Sequence, residues 1–143
     1  MANIVIVYDS LRGNTKRVVD VMSELFTAAG HAVKALKPKD AEVADLEAAD
    51  FLLIGGPTYH KDLINTMKQV LFKFEKADLK EKPGAAFASF GWSGESLGIL
   101  EDTMKNLYGM NLGVDGIKVK QTPVVGKIKK EVEPFVQKIL ESL

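Results

Sequence analysis

Ser10, Asn14 and Thr15 carry hydrogen-bonding side chains, Arg12 carries a fixed positive charge and Gly13 a backbone free of steric restriction, all within the run Ser10-Leu11-Arg12-Gly13-Asn14-Thr15. That mixture suits an anion, and its context sharpens the reading. The run follows the apolar stretch Ile4-Val5-Ile6-Val7-Tyr8 and Asp9, and a helical pattern begins directly after it. A loop that opens a helix presents unpaired backbone N–H groups and the positive end of the helix dipole, which together hold a phosphate. Neither G-x-G-x-x-G nor G-x-x-x-x-G-K-[ST] occurs, so the expected phosphate loop is of another kind.

Two further loops carry large rings beside small residues. The first is Gly55-Gly56-Pro57-Thr58-Tyr59-His60-Lys61 and the second is Ser89-Phe90-Gly91-Trp92-Ser93-Gly94-Glu95. Trp92 is the only Trp of the chain, and a Gly-rich turn is an unusual place for a Trp that serves the core alone. Tyr59 and Trp92 at two loop tips, beside a phosphate loop, imply a flat ligand between them.

Elements that would position these loops follow from periodicity. Val18, Met22, Leu25, Phe26 and Ala29 share one helical face, Lys16, Arg17, Asp20 and Glu24 the other, and Gly30 ends the pattern. His31 to Leu36 predicts a second strand, and the charged stretch from Lys37 to Glu47 a loop with one helical turn. Phe51-Leu52-Leu53-Ile54 reads as a parallel strand covered on both faces and halted at Gly55-Gly56-Pro57. Leu63, Met67, Val70, Leu71 and Phe74 predict a helix with Asp62 as N-cap, and Ala85 to Phe90 a fourth strand. Leu97, Leu100, Met104, Leu107 and Tyr108 predict a helix closed by Gly109, Ile117 and Val119 a short fifth strand. Val132, Phe135, Val136, Ile139, Leu140 and Leu143 predict a last helix with Pro134 in its first turn. Alternation of this kind means an α/β parallel sheet with helices on both faces, whose ligands sit outside the carboxyl ends of the strands.

Composition narrows the classes. The 143 residues, with 46% hydrophobic and 27% charged residues, predict a single globular domain over residues 1–143. Nineteen basic residues balance nineteen acidic ones, so neither nucleic acid nor an anionic membrane is expected as a partner, and a monomer is compatible with the mixed charge. The absence of Cys removes disulfides, thiol catalysis and iron–sulfur ligation. No secretory leader pattern and no long apolar run occur, which predicts a cytoplasmic protein. Met1 just before the first strand and Leu143 at the end of the last helix suggest a complete small protein.

With the three loops in order, the sequence resembles the flavodoxins across essentially its whole length. Ser10-x-x-Gly13-Asn14-Thr15 is similar to the family's phosphate loop, Gly56-Pro57-Thr58-Tyr59 to its second loop, and Ser89 to Glu95 to its third. The wording of the third loop, with Tyr8-Asp9-Ser10, is most similar to the flavodoxin domain of flavodiiron proteins. The resemblance implies a flavodoxin-like doubly wound sheet of five parallel strands in the order 2-1-3-4-5, non-covalently bound FMN, and one-electron transfer at low potential. The implied binding residues are Ser10, Leu11, Arg12, Gly13, Asn14 and Thr15, then Pro57, Thr58, Tyr59 and His60, then Ser89, Phe90, Gly91, Trp92, Gly94 and Glu95. No catalytic residue and no metal ligand is expected. A di-iron centre needs clustered His and carboxylates, and only His31 and His60 exist. The implied partners are redox proteins, a reductase or ferredoxin-type donor and an acceptor enzyme. The alternatives are an NAD(P)H-dependent FMN oxidoreductase and a stand-alone partner of a separate di-iron reductase. A receiver-type signalling domain is excluded, because its third strand would end in an Asp and this one ends in Ile54-Gly55-Gly56. Where flavodoxins often carry Gly, this chain has His60, whose Cβ resists a turn to positive φ. Flavodoxins are usually strongly acidic, and this chain is neutral.

Overall fold

A strand covered on both faces needs apolar residues at odd and even positions alike, and β1 (Asn3–Tyr8) has them: Ile4, Ile6 and Tyr8 point one way and Val5 and Val7 the other. The computed structural model describes residues 2–9, 13–59, 62–63, 77–90, 96–120 and 124–143. In it β1 leads to α1 (Asn14–Ala28), β2 (Ala32–Leu36), α2 (Val43–Ala48), β3 (Phe51–Tyr59), β4 (Asp62–Leu63), β5 (Gly84–Phe90), α3 (Ser96–Asp102), β6 (Ile117–Lys120) and α4 (Val125–Ser142). The strands line up β2-β1-β3-β5-β6, all parallel, with the two residues of β4 turned back antiparallel on the end of β3. Counting the parallel strands alone, this is the expected order 2-1-3-4-5.

Strand parity divides the core. Ile4, Ile6, Tyr8, Phe51, Leu53, Ala85 and Phe87 face Val18, Met22 and Phe26 of α1 and Val132, Phe135, Val136 and Ile139 of α4. Val5, Val7, Leu52, Ile54 and Ala86 face Leu46 of α2, Leu100 of α3 and Met104 and Tyr108 beyond it. The amino end of β1 is pinned away from the loops. Ala2 N donates to His31 Nδ1 at 3.0 Å, and Asn3 N donates to Asp50 Oδ2 at 2.7 Å. α2 is held by Asp45, which accepts from Glu42 N at 3.0 Å and from Lys34 Nζ at 2.6 Å. The Lys34 ammonium, then the Glu42 amide, hold the Asp45 carboxyl below the usual aspartate value.

Four expectations are corrected. Gly55-Gly56-Pro57 does not halt the third strand: β3 runs on to Tyr59, with Gly56 paired to Ala88 and Pro57 to Ser89. Asp62 is no N-cap, and Leu63 is not helical. Asp62 pairs with Tyr59 and Leu63 with Thr58, so the backbone there is extended; the rest of the helix expected through Phe74 lies outside the described residues. Pro134 is not in a first turn but in the interior of α4, which begins at Val125 and includes a charged stretch without apolar periodicity. The Pro ring costs the bond to the carbonyl of Lys130, and both residues lie on the exposed side of the helix, where that loss is least costly. Beyond α3 the helix widens over Thr103–Leu107, where Tyr108 N donates to Thr103 O at 3.3 Å, before Gly109 at φ 67° closes it as expected.

Gly55 has a packing role that a strand-ending signal would not reveal. It sits between Tyr8 on β1 and Phe87 on β5, on the face that α1 covers, and a Cβ built on it would fall inside the Phe87 ring. Phe87 is fully buried, so its ring has nowhere to retreat. We predict that Gly55→Ala lowers unfolding free energy by about 1–3 kcal/mol through overpacking. In a Phe87→Leu background the same substitution should cost much less, and urea denaturation of the four chains would measure the coupling. Equal costs in both backgrounds would remove the ring from the explanation.

Candidate functional site

β1 stops before its neighbour does. Its last link to β3 is Asp9 N donating to Gly55 O at 3.4 Å, whereas β3 continues to Tyr59. From β1 the chain crosses to β2 on one side and then to β3 on the other, so this carboxyl end is the switch point of the sheet, where open α/β folds bind ligands. Lys37, just after β2, reaches the same edge. Its Nζ lies 4.0 Å from Asp9 Oδ1 and 5.6 Å from the centroid of the Tyr8 ring, so a cation stands beside the one carboxylate that ends β1.

α1 opens at this edge with an N-terminus that its own sequence leaves without neutralising charge. Gly13 is the N-cap with φ 80° and ψ 0°, a left-handed conformation open to Gly at little cost, and it has no side chain to cap the first N–H groups. Among the described residues nothing lies within 4 Å of the place a Cβ would take, so the demand at Gly13 is conformational. The first helical bond is Arg17 N to Gly13 O at 3.1 Å, and the first turn holds no acidic residue. Lys16, in that turn, is hydrogen-bonded to Asp20 at 2.9 Å, which raises the ammonium's pKa and fixes it on the outer helix surface.

Thr15 and Ser89 are the buried polar residues of the described chain, at 0% and 1% exposure, and they bond to one another: Thr15 Oγ1 lies 2.8 Å from Ser89 Oγ. Ser89 shares the parity of Ala85 and Phe87 and so faces α1. Since β1 and β5 are separated by β3, the contact means that the start of α1 leans across β3, over Gly55, which raises no side chain on that face.

Of the residues expected to bind a ligand, Gly13, Asn14 and Thr15 lie at the start of α1, and Pro57, Thr58, Tyr59, Ser89 and Phe90 at the carboxyl ends of β3 and β5. The backbone thus brings segments of all three loops to one edge. Ser10, Leu11, Arg12, His60, Gly91, Trp92, Gly94 and Glu95 lie outside the described residues. Sequence reasoning missed Lys37 and the Thr15–Ser89 bond. A cation just past the second strand was a signal for the first; hydroxyls 74 residues apart gave none for the second. Among the described residues no His, Asp and Glu cluster could hold a metal ion, and no helix is long and apolar enough to cross a membrane.

Comparison with known proteins agrees with this geometry. The crystal structure of oxidised Flavodoxin 1 from Bacillus cereus superposes with a TM-score of 0.86 over 99% of both chains at 22% identity, which speaks for the fold. Rubredoxin oxygen:oxidoreductase from Desulfovibrio gigas superposes with a TM-score of 0.82 at 26% identity, over 98% of this chain and 35% of that one. In sequence, the chain is 29% identical over 124 residues to the rubredoxin-oxygen oxidoreductase of Megalodesulfovibrio gigas, covering 84% of this chain and 31% of the relative. The chain therefore spans less than a third of the length of that relative. A family model described as a flavodoxin domain matches residues 5–113. The chain belongs to the flavodoxin family.

Proposed function

We propose that the chain binds FMN without a covalent bond and passes single electrons between redox partner proteins. The observation that carries this reading is the start of α1: a left-handed Gly13, no acidic residue in the first turn, and Thr15 beside Ser89, at the switch point of a flavodoxin-family sheet. These features fit a phosphate-bearing group. Gly13 brings backbone close without a side chain, the first-turn N–H groups and dipole favour a dianion, and Thr15 adds a hydroxyl donor. FMN, when bound, supplies the one-electron chemistry, and the protein supplies binding, orientation and electrostatics. Ser10, Arg12 and Asn14 join the phosphate loop in this reading, and Tyr59 and Trp92 flank the ring system. Lys37 offsets the Asp9 carboxylate close to the site, which would otherwise oppose an anion.

A second reading has its own support. Matches to flavodiiron-type oxidoreductases, of which this chain covers 31% in the first case, favour an electron-transfer domain that works beside a separate di-iron reductase. Both readings keep the same flavin site. They differ from a nicotinamide-dependent oxidoreductase, for which NADPH alone would bleach the flavin rapidly; as a carrier the chain should stay oxidised until a partner reductase is added. Addition of FMN to the apoprotein, followed by visible absorption, is the direct test of the class, and a protein that takes up no flavin would end it.

Thr15→Val should weaken FMN by about 10- to 150-fold, the scale of a hydrogen bond to a charged group, and leave riboflavin nearly unchanged. Titration of the apoprotein with both flavins measures the ratio, and equal losses would show that this helix end does not hold the phosphate. Trp92 emission should be strongly quenched when FMN binds, because stacked aromatic groups lie in contact. Unchanged Trp emission with and without bound FMN would remove Trp92 from the ring site.

A further inference from the structure

A pair of hydroxyls at 2.8 Å uses one of its two hydrogens, and the other is left to point elsewhere. Two arrangements satisfy the bond between Thr15 and Ser89. If Thr15 donates, its hydrogen is turned toward β5 and its oxygen shows any incoming anion only lone pairs. If Ser89 donates, the Thr15 hydrogen is released and can point away from the sheet, at the helix end. No other hydrogen bond to either side chain exists among the described residues to decide between them, and both groups are buried from water.

A phosphate at the start of α1 would decide, since it accepts and never donates when fully ionised. We infer that Ser89 is a positioning residue for that phosphate: its Oγ–H donates to Thr15 Oγ1 and so turns the Thr15 hydroxyl outward as a donor. Ser89 does not touch the phosphate in this account. Ser89 stands on β5, where it pairs with Pro57 on one side and Val119 on the other, so the orienting group stands on the sheet while the oriented one stands on α1. A donor whose own acceptor lone pair is filled by a neighbouring O–H is also polarised by it, which strengthens the bond it gives.

The inference rests on the phosphate reading above, and a double-mutant cycle separates the two. Dissociation constants for FMN and riboflavin are measured by flavin fluorescence titration for wild type, Thr15→Val, Ser89→Ala and the double variant, with urea midpoints of the four apoproteins. Ser89→Ala should weaken FMN by about two- to tenfold, leave riboflavin unchanged, and cause no further loss when Thr15 is already Val. A Ser89→Ala loss that persists undiminished in the Thr15→Val background would make Ser89 a direct ligand and overturn the positioning role. An equal loss for both flavins would make the pair a purely structural contact and overturn it as well. Wild type that binds FMN no better than riboflavin would instead fail the phosphate reading beneath it. Should Ser89→Ala not fold, Ser89→Cys keeps the volume, replaces a strong donor with a weak one, and reads the same cycle.

Discussion

Position 55 can hold no side chain while Phe87 keeps its place, and the carboxyl edge of the sheet is arranged around that exclusion. The Phe87 ring fills the space that a Cβ at Gly55 would take, beneath the end of α1, and its burial secures the middle of the sheet where β3 lies between β1 and β5. With no side chain rising from Gly55 on that face, α1 can lean over β3 until Thr15 touches Ser89. A branched residue at Gly55 would press on the Phe87 ring and on the helix above it. The packing of an aromatic ring on β5 thus bears on a polar pair that joins the same strand to α1.

Electrostatics at the same edge run against the chain's overall neutrality. The 19 basic and 19 acidic residues cancel over the whole molecule, so a diffuse field steers nothing. The local arrangement differs. α1 begins without an acidic residue, its dipole is uncompensated by its own first turn, and Lys37 stands 4.0 Å from the Asp9 carboxylate. A partly buried pair at the long separation of 4.0 Å contributes little to stability. Its effect lies in lowering the negative potential that Asp9 would place at the end of β1, which operates at short range and survives in a chain with no net charge.

How much of this could be read from sequence depends on the range of the physical cause. Strands β1 and β3 were legible because Ile4 to Val7 and Phe51 to Ile54 are apolar at both parities, a local property that only a doubly covered strand needs. Gly13 was legible because a left-handed turn ahead of a helix favours Gly whatever surrounds it. Gly55 was misread as the end of a strand, since the reason for it is Phe87, a tertiary neighbour. Pro134 was misplaced because the amino-terminal half of α4 is charged and exposed and carries little periodicity, so the apolar stripe began too late to mark the helix start. The antiparallel return of Asp62 and Leu63 on Tyr59 and Thr58 likewise depends on pairing, which a helical N-cap signal does not register. Thr15 was visible as a loop residue, yet its bond to Ser89 was not, because nothing local distinguishes a hydroxyl that faces a helix from one that faces water.

Sheet and helix divide the labour of placing the hydroxyl pair. What places Thr15 and Ser89, namely the parity of β5, Gly55 of β3 and the left-handed Gly13, lies within residues 5–113, the part that the family model matches. α4, beyond that part, packs on the same face of the sheet as α1, through Val132, Phe135, Val136 and Ile139, and covers the core there. The same fold makes up a whole chain in Flavodoxin 1 from Bacillus cereus and 35% of the chain of rubredoxin oxygen:oxidoreductase from Desulfovibrio gigas. Within this chain the buried hydroxyl pair and the ring against Gly55 take their geometry from the packed sheet and helix and not from the surface.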